Sequence, residues 1–90
     1  MSDIETERRN RIRLSLAAYA YEFASDPIMT DAEFDSLALK INKEVKTGNE
    51  ILDIFFVNVF EPHTGQWIHN HPELDKLKNL YQRYKRGFKK

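Results

Sequence analysis

The chain has 90 residues, of which 41% are hydrophobic and 31% are charged, and its formal net charge is zero. This length accommodates a single domain, residues 1–90, with one modest core, and it excludes a large catalytic architecture with a separate cofactor domain. Cysteine is absent, which excludes disulfides, thiolate metal sites and a cysteine nucleophile, and we expect a reducing, cytoplasmic location. The polar start is unlike a signal peptide, and no apolar run approaches the ~20 residues that span a bilayer.

The first predicted helix covers residues 3–24. Ser2-Asp3-Ile4-Glu5 has the S-x-x-E pattern of a capping box. Apolar side chains then recur at the helical spacing of three and four, and they are Ile12, Leu16, Tyr19 and Phe23. Pro27 disfavours a helical conformation at the residue before it, so the helix should end at this point.

The second predicted helix covers residues 30–46. Thr30-Asp31-Ala32-Glu33 is another capping box, and its acids suit the positive end of the helix dipole. The apolar stripe continues to Val45, and Gly48 suits a left-handed cap after the helix.

The third predicted helix covers residues 50–60, where the apolar run also favours a strand. Two rows at i,i+4 spacing, 51–55–59 and 52–56–60, tip the interpretation towards a helix, which we expect to be the most buried element. The fourth covers residues 71–86, with Pro72 at its first position. Its apolar residues Leu77, Leu80, Tyr81 and Tyr84 should pack on Phe55 and Phe56. The sequence therefore predicts an all-α bundle of about four helices.

The last fifteen residues contain seven lysines and arginines and no acid, whereas the middle of the chain is acidic. Cations at a helix C-terminus complement the helix dipole, which is the simplest explanation. A patch for phosphates, an acidic protein or a second copy of the chain is the alternative. Basic residues that alternate with aromatic ones also suit weak, non-specific nucleic-acid binding.

Residues 19–37 carry a recognisable pattern, with Tyr19-Ala20-Tyr21, then Pro27, then Asp31-Ala32-Glu33-Phe34-Asp35-Ser36-Leu37. This pattern resembles the N-terminal Ia domain of bacterial NAD-dependent DNA ligases, over about residues 13–41. That domain grips the nicotinamide mononucleotide half of NAD. The resemblance implies nucleotide contacts at Tyr21, Glu22, Asp31, Phe34 and Asp35. Two of these positions depart from the family, since Glu22 replaces His or Tyr and Phe34 replaces Tyr.

The remainder of a ligase is missing from the sequence, including the K-x-D-G adenylation motif. The chain is similar to small stand-alone ligase-related proteins of bacteriophages, which implies action on a host complex rather than catalysis. Asp31, Glu33 and Asp35 at i,i+2 spacing point to different helix faces, and no nucleophilic triad or phosphate loop is present. We therefore predict that the chain is not an enzyme.

Three histidines, His63, His69 and His71, lie within nine residues and close to Glu61. His-x-His on an extended segment suits zinc or nickel. Ordinary loop and cap roles explain these histidines better, so no metal site is predicted.

The favoured function is a non-catalytic protein-binding module, such as a phage-encoded inhibitor or modulator of a host defence or DNA-processing complex. Its predicted contact surface combines an acidic edge, an exposed aromatic loop and the basic helix, through Asp31, Asp35, Trp67, Arg83, Lys85 and Arg86. The alternatives are residual binding of NAD or nicotinamide mononucleotide and weak binding of nucleic acid. A protein partner is expected, a homo-oligomer is compatible with the charge pattern, and no cofactor or membrane is otherwise predicted.

Overall fold

The computed structural model describes residues 3–62 and 64–88, and it confirms the all-α prediction. Helix α1 spans Asp3–Ala24, α2 spans Asp31–Lys40, α3 spans Glu50–Asn58 and α4 spans Leu74–Phe88. A short 3₁₀ helix at Gln66–Asn70, which was not predicted, lies between α3 and α4. Ser2 of the first predicted capping box and His63 lie outside the described residues.

Helix α1 is the central element, because α2, the 3₁₀ helix and α4 all pack against it. Its buried face differs from the predicted one. Ile12 and Phe23 remain about half exposed, and the small residues Ala17, Ala18 and Ala20 are buried together with Leu14. Small side chains let the neighbouring helices approach α1 closely. One core results, and it draws on every helix through Leu14, Ala18, Leu37, Ala38, Phe55, Phe56, Phe60, Trp67, Ile68 and Leu77.

Helix α1 ends in a left-handed residue and a backbone hydrogen bond. Ser25 adopts a left-handed conformation with φ of 49°, and the Asp26 N–H donates to the Ala20 carbonyl at 2.9 Å. Pro27 follows at once, so the chain turns into α2 within six residues. This short connection holds the end of α1 next to the start of α2.

The predicted capping box at the start of α2 is confirmed. Thr30 Oγ1 accepts from the Glu33 N–H at 3.1 Å, and Glu33 Oε1 accepts from the Thr30 N–H at 3.0 Å. The hydrogen bond from the Thr30 backbone is the main reason why the pKa of Glu33 lies below its ordinary value.

Replacing Thr30 by alanine should lower the free energy of unfolding by about 1 kcal/mol, because the Glu33 N–H loses its acceptor. Urea denaturation measures this change. Ser36, an exposed residue within α2, provides the matched control, since Ser36→Ala should alter stability by less than ~0.5 kcal/mol. Equal losses in the two variants would show that the cap contributes nothing specific.

Helix α2 ends at Lys40, six residues before its predicted end, because a buried ionic network holds the following loop. The buried Arg11 guanidinium donates to the carbonyls of Asn42 and Val45 at 2.9 and 3.0 Å. The buried Glu7 carboxylate accepts from the Asn42 N–H at 3.0 Å. These side chains supply the hydrogen bonds that a continued helix would otherwise make.

The same network reaches α3 through Asp53. Arg11 donates to Glu7 at 2.6 Å and to Asp53 at 2.7 Å, and its guanidinium lies 4.9 Å from the centre of the Phe56 ring. Asp53 also accepts from the Thr47 backbone and hydroxyl. Burial raises the pKa of Asp53, but the bonds from Thr47 and Arg11 outweigh it, and the pKa lies below its ordinary value.

The prediction that α3 would be the most buried element is wrong. Phe55 and Phe56 face the core, whereas Ile51, Ile54 and Val57 are exposed. The helix ends at Asn58 rather than residue 60, and Phe60 still reaches the core from beyond the helix. A helix whose two sides are both apolar can bury only one of them against a single small core.

Helix α4 begins at Leu74, later than predicted, and extends to Phe88. Leu77 joins the core with Phe55 and Phe56 as expected. Tyr81 does not follow it there, since its ring lies 5.8 Å from that of Tyr19 on α1. Helix α4 thus lies along α1. Leu77, in the first half of α4, joins the aromatic core together with Phe55 and Phe56 of α3.

Candidate functional site

A cleft of about 290 Å³ opens where the end of α1 meets the start of α2. The segment 27–29 and the loop at Thr64 and Gly65 complete its walls. The structure brings together in this one cleft all five residues that the ligase resemblance singled out, namely Tyr21, Glu22, Asp31, Phe34 and Asp35. The capped start of α2 and the short connection from α1 determine this arrangement.

The floor of the cleft is apolar. Phe34 and Met29 are half-buried and pack against the core. Tyr21, by contrast, exposes 58% of its surface, so its ring stands beside the opening rather than in the core. The cleft therefore offers an apolar base and an accessible aromatic ring, features that suit the aliphatic stem of a ligand.

The rim of the cleft is acidic. Asp31 and Asp35 are exposed and lie one helical turn apart on the same face of α2. Glu22 completes a set of three carboxylates, and no lysine or arginine occurs among the lining residues that the structure describes. Carboxylates that share a cleft whose described lining holds no lysine or arginine favour a positively charged ligand and repel a phosphate.

Glu22 is oriented by the 3₁₀ helix. Its carboxylate lies 2.9 Å from Nε2 of His69, and the His69 ring lies 4.8 Å from that of Phe23. These two contacts of His69 hold the 3₁₀ helix against the end of α1 and orient the Glu22 side chain, which lines the cleft. Spacing along the sequence carries no signal of this contact, since 47 residues separate its partners.

The predicted contact surface is corrected at Trp67. Only 4% of Trp67 is exposed, and its ring lies 5.0 Å from Phe60 and 6.1 Å from Phe55. An indole buries a large apolar area, and the 3₁₀ helix turns it inward rather than presenting it to a partner. The indole of Trp67 is therefore not part of the exposed contact surface.

The basic helix is partly engaged within the molecule. Lys85 Nζ and Tyr81 Oη both donate to Asp26 Oδ2, at 2.8 and 2.6 Å. The bond from Lys85 is the main reason why the pKa of Asp26 lies below its ordinary value, and the bond to Asp26 likewise raises the pKa of Lys85. Lys85 thus anchors α4 to Asp26, in the turn that follows α1, whereas Arg83 is exposed. The side chain of Arg86 lies outside the described part of the structure.

His69 and His71 have separate structural roles. His69 pairs with Glu22, and His71 Nδ1 accepts from the Glu73 N–H at 3.0 Å just before α4. Within residues 3–62 and 64–88, no three potential ligands come close enough to hold a metal ion. The same residues include no helix that is both long and apolar enough to cross a membrane.

A larger cavity of about 450 Å³ lies between α1, α3 and α4, with Leu52, Phe56 and Leu80 in its walls. The Arg11 guanidinium in its lining already donates to two carboxylates and two carbonyls. The other charged groups of the lining are also paired within the protein, since Arg8 donates to the Thr47 carbonyl and Lys76 donates to Glu73. The acidic cleft is therefore the better candidate site.

The lining residues that sequence reasoning did not identify are Ala17, Ala18, Pro27, Ile28, Met29, Thr64 and Gly65. From the sequence, Pro27 predicts only the end of the first helix. Thr64 and Gly65 come from a loop more than 25 residues after Asp35, and local sequence patterns do not predict contacts over that separation. Comparison of the chain with protein-family models, curated proteins and solved structures gave no match.

Proposed function

We propose that this chain is a non-catalytic protein-binding module whose acidic cleft receives a lysine or arginine side chain from a basic segment of a partner protein. The observation that supports it is the set of three carboxylates around an apolar floor, without a basic residue in the described lining. Such a module would act as an inhibitor or modulator by covering a basic surface of a host complex. That role is the one that the sequence resemblance to small phage proteins implies.

The parts of the cleft match the parts of a long cationic side chain. Phe34 and Met29 offer an apolar surface for its aliphatic stem, and Asp31 and Asp35 lie on one face of α2 for its charged end. The exposed Tyr21 ring adds a cation–π surface, typically worth about 0.5–1 kcal/mol at an open site. Because all these groups are close to solvent, the charge contribution should weaken as salt rises.

Binding of nicotinamide mononucleotide is the second candidate, and the convergence of the five resemblance residues on one cleft favours it. Tyr21 and Phe34 offer aromatic surfaces for the nicotinamide ring. The phosphate, however, would enter a cleft with three carboxylates and without a described cation. The charge distribution therefore favours a basic side chain over the nucleotide as the ligand of the cleft.

The test is a titration of the ¹⁵N-labelled chain with a short arginine-rich peptide, followed by NMR. We expect shifts at Tyr21, Asp31 and Asp35, and an affinity that falls with salt. The double variant Asp31→Asn, Asp35→Asn should bind about tenfold more weakly, the equivalent of ~1.4 kcal/mol. Asp75→Asn, which neutralises an exposed acid at the start of α4, is the matched control and should bind as the unmodified chain does.

Shifts spread evenly over all acidic surfaces, with equal losses in the cleft and control variants, would contradict the proposal. Calorimetry with nicotinamide mononucleotide tests the second candidate, nucleotide binding. Heat of binding that Asp35→Ala removes without a loss of stability would rank the nucleotide above the basic side chain.

A further inference from the structure

The outer face of α3 is an apolar surface that the core does not use. Ile51, Ile54 and Val57 expose 64%, 54% and 51% of their surfaces. They recur every three residues, so they line one side of α3, while Phe55 and Phe56 point inward. Single exposed aliphatic residues are ordinary, but an aligned row of this kind is typical of a contact surface.

A groove runs beside this row. It encloses about 710 Å³ between α3 and the loop 43–48, and Ile54, Val57 and Val45 contribute apolar walls. The network of Arg11, Glu7 and Asp53 holds that loop in place through hydrogen bonds to its backbone, and these bonds therefore determine the shape of the groove. Row and groove together form a ridge beside a channel, which is the shape that two packed helices require.

Charges of both signs surround this surface, and one pair, Glu50 and Lys43, lies at its two ends. Glu50 is the first residue of α3. Lys43 lies at the other end, with its Nζ 5.7 Å from the centre of the Phe60 ring. A helix of nine residues is about 13 Å long. If a second α3 is laid antiparallel on the first, each Glu50 therefore lies opposite the Lys43 of the other copy.

We infer that the outer face of α3 is the interface of a homodimer, in which two copies of α3 pack antiparallel around a two-fold axis. The arrangement is self-complementary, as an interface of this symmetry requires, because each copy supplies both Glu50 and Lys43. It also sets the two helix dipoles in opposite directions, which is favourable. The surface is distinct from the acidic cleft, so partner binding and dimerisation are tested separately.

The interface is small, because it rests on one short helix and its adjoining loop. It belongs at the low end of specific interface sizes, where association is weak and reversible. We therefore expect a dimer that dissociates on dilution. Five charged residues line the groove, namely Lys43, Glu44, Lys46, Glu50 and Asp53. Asp53 is paired with Arg11, and the other four sum to zero charge, so two copies approach without net repulsion from these residues.

The first experiment is sedimentation velocity of the chain from about 10 µM to about 1 mM, a range that covers weak association. We expect the average mass to rise from one copy towards two. Ile54→Asp should weaken dimerisation at least tenfold, and Ile51→Asp provides a second test at the same face. Ile12→Asp, at an exposed isoleucine on α1, is the matched control and should leave dimerisation unchanged. Circular dichroism checks that each variant is folded.

The second experiment tests the two-fold pairing directly. Lys43→Glu and Glu50→Lys should each weaken self-association, because every cross-pair then joins like charges. An equimolar mixture of the two variants should form a heterodimer, since both cross-pairs are again of opposite sign, and the double variant should dimerise as the unmodified chain does.

Three results would overturn the inference. One is a single-copy mass at the highest concentration. Another is a dimer that tolerates both Ile54→Asp and Ile51→Asp. The third is a chain that stays monomeric in solution but binds phospholipid vesicles through Ile54, which would assign the face to a membrane surface instead.

Discussion

Replacing Arg11 by methionine should lower the free energy of unfolding by about 3–5 kcal/mol, the range for breaking a buried ion pair by removing one partner. Methionine retains much of the apolar stem, so the loss reports on the guanidinium. Without it, the carboxylates of Glu7 and Asp53 remain in place without their cation, and the carbonyls of Asn42 and Val45 lose a donor. This loss is a large fraction of the total stability of a small domain.

Urea denaturation at neutral pH measures the effect, with Arg9→Met as the matched control. Arg9 lies on α1 two residues before Arg11 and is exposed, so its replacement should change stability by less than ~0.5 kcal/mol. Arg11→Lys should fall between the two, because an ammonium keeps the charge but cannot match the fork of the guanidinium. A loss below about 1 kcal/mol in Arg11→Met would refute a dominant role of the network in stability.

Stability should decrease by about 2 kcal/mol between pH 7.5 and pH 5 because of His71 alone. Burial lowers the pKa of His71 from 6.5 to about 4, although Glu73 opposes the shift. The folded state therefore binds fewer protons than the unfolded state between these pH values. The contribution of the neutral ring is complete above pH 6.5 and is lost as the pH falls towards 4. Protonation would also remove the Nδ1 acceptor used by the Glu73 N–H.

His71→Asn provides the test, because the asparagine Oδ1 can accept the same N–H two residues ahead without titrating. The difference between variant and unmodified chain at pH 8 measures lost packing on Phe55, whose ring lies 5.1 Å away. The change in that difference from pH 8 to pH 5 measures the titration. Asp26 and Asp53, whose pKa values are lowered, lose their contribution only at more acidic pH and do not disturb this window. An unchanged difference would contradict the prediction.

The residues of the acidic cleft could be predicted from the sequence, because the patterns that identify them extend over only a few neighbouring residues. Thr30 and Glu33 form a capping box across three residues, and the i,i+4 spacing of Asp31 and Asp35 places them on one face once that helix starts. Pro27 predicted the turn that brings Tyr21 near them. Whether the cleft binds a basic side chain or a nucleotide stays a prediction, because both depend on a ligand.

The residues that were misjudged all depend on contacts distant in sequence. The stripe from Phe34 to Val45 predicted a longer α2, but Arg11 and Glu7, 31 and 35 residues away from Asn42, form hydrogen bonds with the following backbone. Arg11 is one of four arginines in the first turns of α1, with Arg8, Arg9 and Arg13. Nothing in the local pattern distinguishes the arginine that faces Asp53 from its neighbours.

The sequence by itself determined the all-α class, the four α-helices and the capped start of α2. Each depends on neighbours within about four residues, which is the range of helix propensity and capping. Gly48 has the predicted positive φ, but it does not cap α2, because that helix ends eight residues earlier. Only the tertiary structure decided that Trp67 is buried, that the outer face of α3 is exposed, and that Arg11 holds the loop after α2. A core of this size buries one side of each helix, and which side it buries is settled by packing between segments that are far apart in the chain.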